Sequence, residues 1–489
     1  MKYILLLILF PFLGFSQVQI GQDIDGEAPD DQSGFSVSLS ANGTIVAIGA
    51  TRTDGNGSTS GHVRVFENQS GVWTQIGQDI DGEAANDLSG YSVSLSSDGS
   101  IVAVGAPSND GNGSNSGHVR VFENQSGVWT QIGQDIDGEA LGDLSGYSVS
   151  LNNDGNILAI GAIQNDGNDF FVGHVRIFEN IVNTWTQIGQ DIDGEANFDQ
   201  SGNFIKLSSN GTIVAIGAML NDGNGTDSGH VRIFENIANT WTQIGQDIDG
   251  EAAADQSGHT VSLNSDGSIV SIGAILNDGN GNNSGHVRIF ENQNGVWTQI
   301  GQDIDGEVSE DQSGHSVSLN SDGSVIAIGA IYNDGNGSDS GHVRVYENQS
   351  GTWTQIGQDI DGEAVGDFSG LSVSLSSDAS TLAIGSPFND GNGTDSGHVR
   401  VYDLSGITLA SDSFVLENFS VSPNPTTDKV SITLTNNLEL KAVTIYNYFG
   451  QKIKTTQSTE IDLSEFPTGV YFLEIETNKG KASRKVVKK

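Results

Sequence analysis

Along residues 89–139 short runs of alternating apolar and polar positions are separated by small polar residues. SGYSVSLSSDGSIVAVGAP is followed by SNDGNGSNSG and then by HVRVFENQSGVWTQIGQDI. A period of two puts every second side chain on one face of an extended strand. The intervening Ser-Asp-Gly and Glu-Asn-Gln-Ser-Gly segments are turn formers, so the stretch predicts four short antiparallel strands. The same pattern recurs along the chain. GQDIDGE begins at Gly21, Gly77, Gly133, Gly189, Gly245, Gly301 and Gly357, each 56 residues after the last, with no insertion or deletion. Four-stranded units repeated about an axis are propeller blades. The expectation is an all-β chain, a seven-bladed β-propeller followed by a small β-sandwich.

The two ends of the repeat array indicate how the ring closes. Trp73, Trp129, Trp185, Trp241, Trp297 and Trp353 mark the fourth strand of six repeats, whereas GHVR of the third strand occurs seven times, last at Gly397. No fourth strand of that kind follows the last copy, and VQIGQDI, Val18 to Ile24, is a fourth strand with nothing before it. The N-terminal strand is therefore expected to complete the last blade. An open array would leave both edges unpaired.

SGYSVSLS followed by VAVGAP and GHVRVFE resembles the FG-GAP repeat of integrin-alpha-type propellers. The resemblance spans about Gln17 to Leu404. GAP is intact at Gly105 to Pro107 and becomes GSP at Gly385 to Pro387, and GAT, GAI or GAM elsewhere. Members of that family often carry a calcium loop between their first two strands. Here that place holds a tight turn such as Ser96 to Ser100, so those ligands do not carry over.

Charge adds a second asymmetry. Of the 62 acidic residues 53 precede Asp412, whereas half of the 20 basic residues lie in the last 61 positions. So acidic a repeat region argues against nucleic acid and anionic membranes, and for cations or basic surfaces. The acids cluster in the link from one blade to the next and in the loop between its second and third strands, which leave a four-stranded meander on one face. In the links they read Asp23, Asp25, Glu27, Asp31; Asp79, Asp81, Glu83, Asp87; Asp135, Asp137, Glu139, Asp143; and so on round the ring. Oxygen ligands at alternate positions suit calcium, and these residues are the candidate metal ligands. The competing reading is that Asp and Gly simply make the turns, with carboxylates accepting backbone N–H bonds.

HVR gives one ring of seven histidines, His62 to His398, and one of seven arginines, Arg64 to Arg400. As almost the only cation of its blade, each arginine is expected to pair with a carboxylate of its own or the next blade. The histidines are expected to be structural. No catalytic constellation stands out, because most polar residues recur sevenfold, which favours multivalent binding. Phe170 and Phe171 break the repeat in a surface loop and are candidate partner contacts. Lys206 and Arg52 also break it, without an evident role.

Residues 1–16 read as a signal peptide, with Lys2, the apolar run YILLLILFPFLGF and Ser16 before Gln17. No later run is long enough to span a membrane. The chain has no cysteine, hence no disulfide and no thiolate chemistry. From residue 416, after a linker at 405–415, the repeat stops. Pro423-Asn424-Pro425, the Tyr446 to Gly450 segment, GVY at Gly469 to Tyr471 and the basic end at Lys485 to Lys489 are similar to the C-terminal sorting domain of the Bacteroidetes type IX secretion system. That resemblance implies export through the periplasm to the cell surface or medium, with the secretion machinery as partner. The sequence thus predicts a non-enzymatic binding or adhesion protein that presents an acidic propeller face (residues 17–404) to a glycan or protein. The alternatives are an extracellular hydrolase or lyase, which rests on fold analogy alone, and a passive scaffold stabilised by calcium.

Overall fold

A computed structural model of the chain describes residues 17–167, 170–406, 419–435, 438, 440–447, 452–477 and 480–489. The expected signal peptide and most of the expected linker lie outside them. The chain divides into two compact units, residues 1–407 and 408–489.

The first unit is a seven-bladed propeller. In the second blade the strands Ser92–Leu95, Ile101–Ala106 and His118–Asn124 pair antiparallel in that order, and the last of them pairs with Trp129–Gln131 and Ile136–Asp137. The fourth strand is thus two short pieces, interrupted at the Gly133 turn, where φ is +78°. The other blades repeat the scheme. Closure follows the prediction: Val18 and Gln19 pair with Asp403 and Tyr402, and Ile24 with Val399, so the N-terminus supplies the outer strand of the seventh blade.

The apolar core lies between blades rather than within them. Ala47, Val63, Val65 and Ile80 of the first blade pack against Leu95, Val102, Val104, Phe122 and Trp129 of the second, and comparable clusters fill the other junctions. This explains the near-continuous apolar runs of the second and third strands, such as IVAVGA, which are covered on both faces. The glycine of GAP allows the closest approach, because a Cβ on Gly105 would fall on the carbonyl oxygen of Gly146 in the next blade. Each tryptophan joins a junction. Trp129 Nε1 donates to the Ile76 carbonyl of the preceding blade at 2.8 Å, and the other five do the same one repeat apart. At the closing junction Gln17 stands at the tryptophan position and exchanges side-chain amide hydrogen bonds with the Gln358 backbone.

At one end of the axis seven residues close a ring of backbone hydrogen bonds. Ala41 N–H donates to Ser97, Ser97 to Asn153, Asn153 to Ser209, Ser209 to Ser265, Ser265 to Ser321, Ser321 to Ser377 and Ser377 to Ala41, all at 2.8–2.9 Å. These residues lie in the turn that follows each inner strand, where no strand partner takes their N–H groups.

The second unit holds two antiparallel sheets. Phe419–Ser422, Lys429–Leu434 and Glu460–Asp462 form one, and Lys452–Thr456, Leu440–Asn447, Gly469–Thr477 and Gly480–Lys488 the other. Val430, Ile432, Val443, Ile461, Leu473 and Val486 are among the buried residues between them. Lys488, at the basic end, is buried, and its Nζ donates to the Leu463, Ser464 and Phe466 carbonyls.

Candidate functional site

The acidic face is built from the predicted connections. The loop between second and third strands docks on the next link: in the second blade the Asn112 side chain donates to the Gly138 carbonyl at 2.9 Å, and Leu144 N–H to Asn115 O at 3.1 Å. Within one link the acidic residues have different occupations. Asp135 Oδ1 accepts from the Gln131 amide at 2.6 Å. Asp137 offers its backbone carbonyl to Arg176 Nη2 at 2.7 Å. Asp143 is buried, and its Oδ2 accepts the Glu139 and Ala140 N–H groups and the Asn165 amide. The quartets of the first two links do the same, with Asp23 and Asp79 held by Gln19 and Gln75, Asp25 and Asp81 bonded through their carbonyls to Arg64 and Arg120, and Asp31 and Asp87 accepting the turn N–H groups. One oxygen of Asp143 thus already accepts three N–H donors, which leaves fewer free carboxylate oxygens in the link for a cation.

Ligand atoms instead converge across the link. Glu83, His118 and Asp135 lie within 4.8 Å of one another, as do Glu27, His62 and Asp79, and Glu139, His174 and Asp191. Arg120 shares Glu83 at 3.6 Å, donates to the Asp81 carbonyl at 2.6 Å and lies over the Phe122 ring at 5.3 Å. The arginine ring is therefore a set of inter-blade staples. The histidines are buried, and burial with the neighbouring guanidinium lowers each to about 4, so they are neutral at pH 7.

Of the two loop phenylalanines, Phe171 packs edge-on against Phe198 of the next link, with ring centroids 5.9 Å apart, while Phe170 is 64% exposed.

The feature that sequence reading passed over lies on the axis. The residue after Ser-Gly at the start of each inner strand is Phe35, Tyr91, Tyr147, Asn203, His259, His315 and Leu371 in successive blades. The chemistry of this position changes from blade to blade, and the fold places all seven copies round one cavity of about 350 Å³. That cavity lies at the end of the channel into which the acidic links lead. Three consecutive blades contribute an aromatic arc, with Phe35–Tyr91 and Tyr91–Tyr147 centroids 4.9 and 4.8 Å apart. The next three contribute polar groups: the His259 and His315 rings are 4.9 Å apart, and their Nδ1 atoms and Asn203 Oδ1 are buried without a hydrogen-bond partner. Desolvation lowers His259 to about 3 and His315 to about 4, so both are neutral. Burial and the Tyr147 hydroxyl raise Tyr91, which stays a donor. The signal was present in the sequence as variation against a constant background.

Residues 80–122 match the family model of the FG-GAP repeat, and residues 420–489 that of the secretion system C-terminal sorting domain. The chain carries both modules. The sorting domain assigns it to the type IX secretion system, which exports it to the cell surface or extracellular space. No helix among the described residues is long and apolar enough to cross a membrane. No curated protein matches the chain. Among solved structures it is similar to the periplasmic gluconolactonase of Pseudomonas aeruginosa, at 16% identity over 67% of this chain and 85% of that one, with a TM-score of 0.47. It is similar also to the β-propeller domain of Myceliophteria thermophila Cps50 (Swd1), at 13% identity over 76% and 96%, with a TM-score of 0.47.

Proposed function

We propose that this exported propeller is a non-enzymatic binding protein of the cell surface or medium, and that its axial cavity receives one neutral carbohydrate unit. The observation that carries this reading is the pairing of the Phe35–Tyr91–Tyr147 arc with unpartnered Asn203 Oδ1, His259 Nδ1 and His315 Nδ1 across one cavity. Aromatic faces suit the C–H side of a sugar, and buried polar atoms left without partners cost free energy until hydroxyls meet them. A volume of about 350 Å³ is in the range of small-ligand sites. The cavity lining contains no carboxylate, lysine or arginine, which weighs against a glycosidase, whose chemistry uses a carboxylate pair. The acidic rim surrounds this mouth and repels anionic competitors, and Phe170 is proposed as an additional contact on that rim.

Calorimetric titration of the full chain against neutral mono- and oligosaccharides tests the reading. One ligand per chain, weakened at least tenfold in Tyr91→Ala and in His259→Ala, is the expected result. Binding that survives both substitutions, or seven equivalents per chain, would return the function to the repeated rim. Turnover of a bound sugar would make the protein an enzyme.

A further inference from the structure

The opposite end of the channel holds a second departure from sevenfold symmetry. Six inner strands carry a serine three residues after the variable ring position: Ser38, Ser94, Ser150, Ser262, Ser318 and Ser374. Each hydroxyl oxygen accepts a leucine N–H from the next blade at 2.9–3.0 Å, as in Leu95 N–H to Ser38 and Leu375 N–H to Ser318. An oxygen that accepts from one side keeps its own proton to give, and none of the six donates to a protein acceptor among the described residues. In the fourth blade this position is Lys206, the only lysine of the propeller among the described residues. Its ammonium accepts nothing, so Leu263, which follows it round the ring, lacks the serine acceptor of its counterparts. Lys206 lines a polar cavity of about 120 Å³ together with serines of this ring. No carboxylate faces it, and burial alone lowers its pKa. In a chain of net charge −42 the amine has been left without a counterion.

The geometry points to a small inorganic oxyanion, of the size of sulfate or phosphate, bound on the axis by Lys206 and the hydroxyls of the serine ring. Lysine, serine O–H and the Leu263 N–H converge on one volume as donors, and a charge-assisted bond is stronger than a neutral one. The cavity has room for more than one water molecule and so for a small ion. The Asp98 carboxylate, next in sequence to Ser97 of this cavity, is engaged by Ser96 and Ser100.

The test compares the full chain with Lys206→Ser, which restores the hydroxyl of the six other blades and should therefore fold. Calorimetry with inorganic phosphate, and separately sulfate, at constant ionic strength is expected to give one ion per wild-type chain and at least tenfold weaker binding to the variant. Ser94→Ala should weaken binding while leaving the amine in place. These salts stabilise proteins non-specifically, so the thermal response of Lys206→Ser supplies the baseline. Equal responses of wild type and variant, or no saturable binding by millimolar concentrations, would overturn the proposal and leave the channel filled with water.

Discussion

At the residue scale, the nine histidines control how the propeller answers acid. All lie in the repeats, and the seven of the HVR ring are lowered to about 4 by burial and the adjacent arginine, with His259 and His315 lowered by burial inside the axial cavity. In the unfolded chain each titrates near 6.5. Between pH 6.5 and 4 the unfolded state therefore binds more protons than the folded one, so stability is full above 6.5 and falls as pH drops through that window. A tenfold difference in proton affinity between the two states corresponds to about 1.4 kcal/mol, and up to nine groups act together. The Glu83-type carboxyls, raised by burial, work the other way, but they are half-exposed and screened. Chemical denaturation at pH 7.5, 6 and 5 should show a steep loss of stability, and a flat profile would mean that these imidazoles are not buried neutral. The buried link aspartates are a second residue-scale case. Asp143→Ala leaves two backbone N–H groups and the Asn165 amide without their acceptor. It should cost about 2 kcal/mol by urea titration, and Asp143→Asn less, because one oxygen acceptor remains.

At the scale of elements, the link between blades is the unit that matters. It carries the fourth strand, supplies the acidic rim and leads into the inner strand, and its glutamate is held by the arginine of the next blade. Because the first and last acids of each link are engaged by N–H donors, calcium and magnesium at equal ionic strength should shift the melting temperature alike. A calcium-specific rise would place the ion at the groups of Glu83, His118 and Asp135 type, the cross-link sites where ligand atoms do meet. The Asp-x-Asp-x-Glu spacing was legible in the sequence, but not the partner of each carboxylate. Alternation along an extended chain sends successive side chains in opposite directions, and only the neighbouring blade decides which donor each one meets.

At the scale of the molecule, closure depends on the first few residues after position 16. Removing residues 17–32 strips the outer strand from the seventh blade and exposes the His398–Asp403 edge. The shortened propeller should lose its single cooperative transition and associate through the free edge, measured by calorimetry and size-exclusion chromatography. A truncated chain that melts like the intact one would mean that the junctions hold the ring without the closing strand.

The sequence by itself determined the strand pattern, the blade count, the closing strand, the acidic face and the sorting domain. Those properties follow from local periodicity, turn chemistry and a repeat that never slips out of register. Tertiary structure alone decided that Phe35, Tyr91, Tyr147, Asn203, His259 and His315 share one cavity, and that Lys206 sits uncompensated among hydroxyl donors. Members of each set are 56 residues or more apart in the chain. They meet because seven copies of one strand are wrapped about an axis, which turns a departure at any one copy into part of a single site.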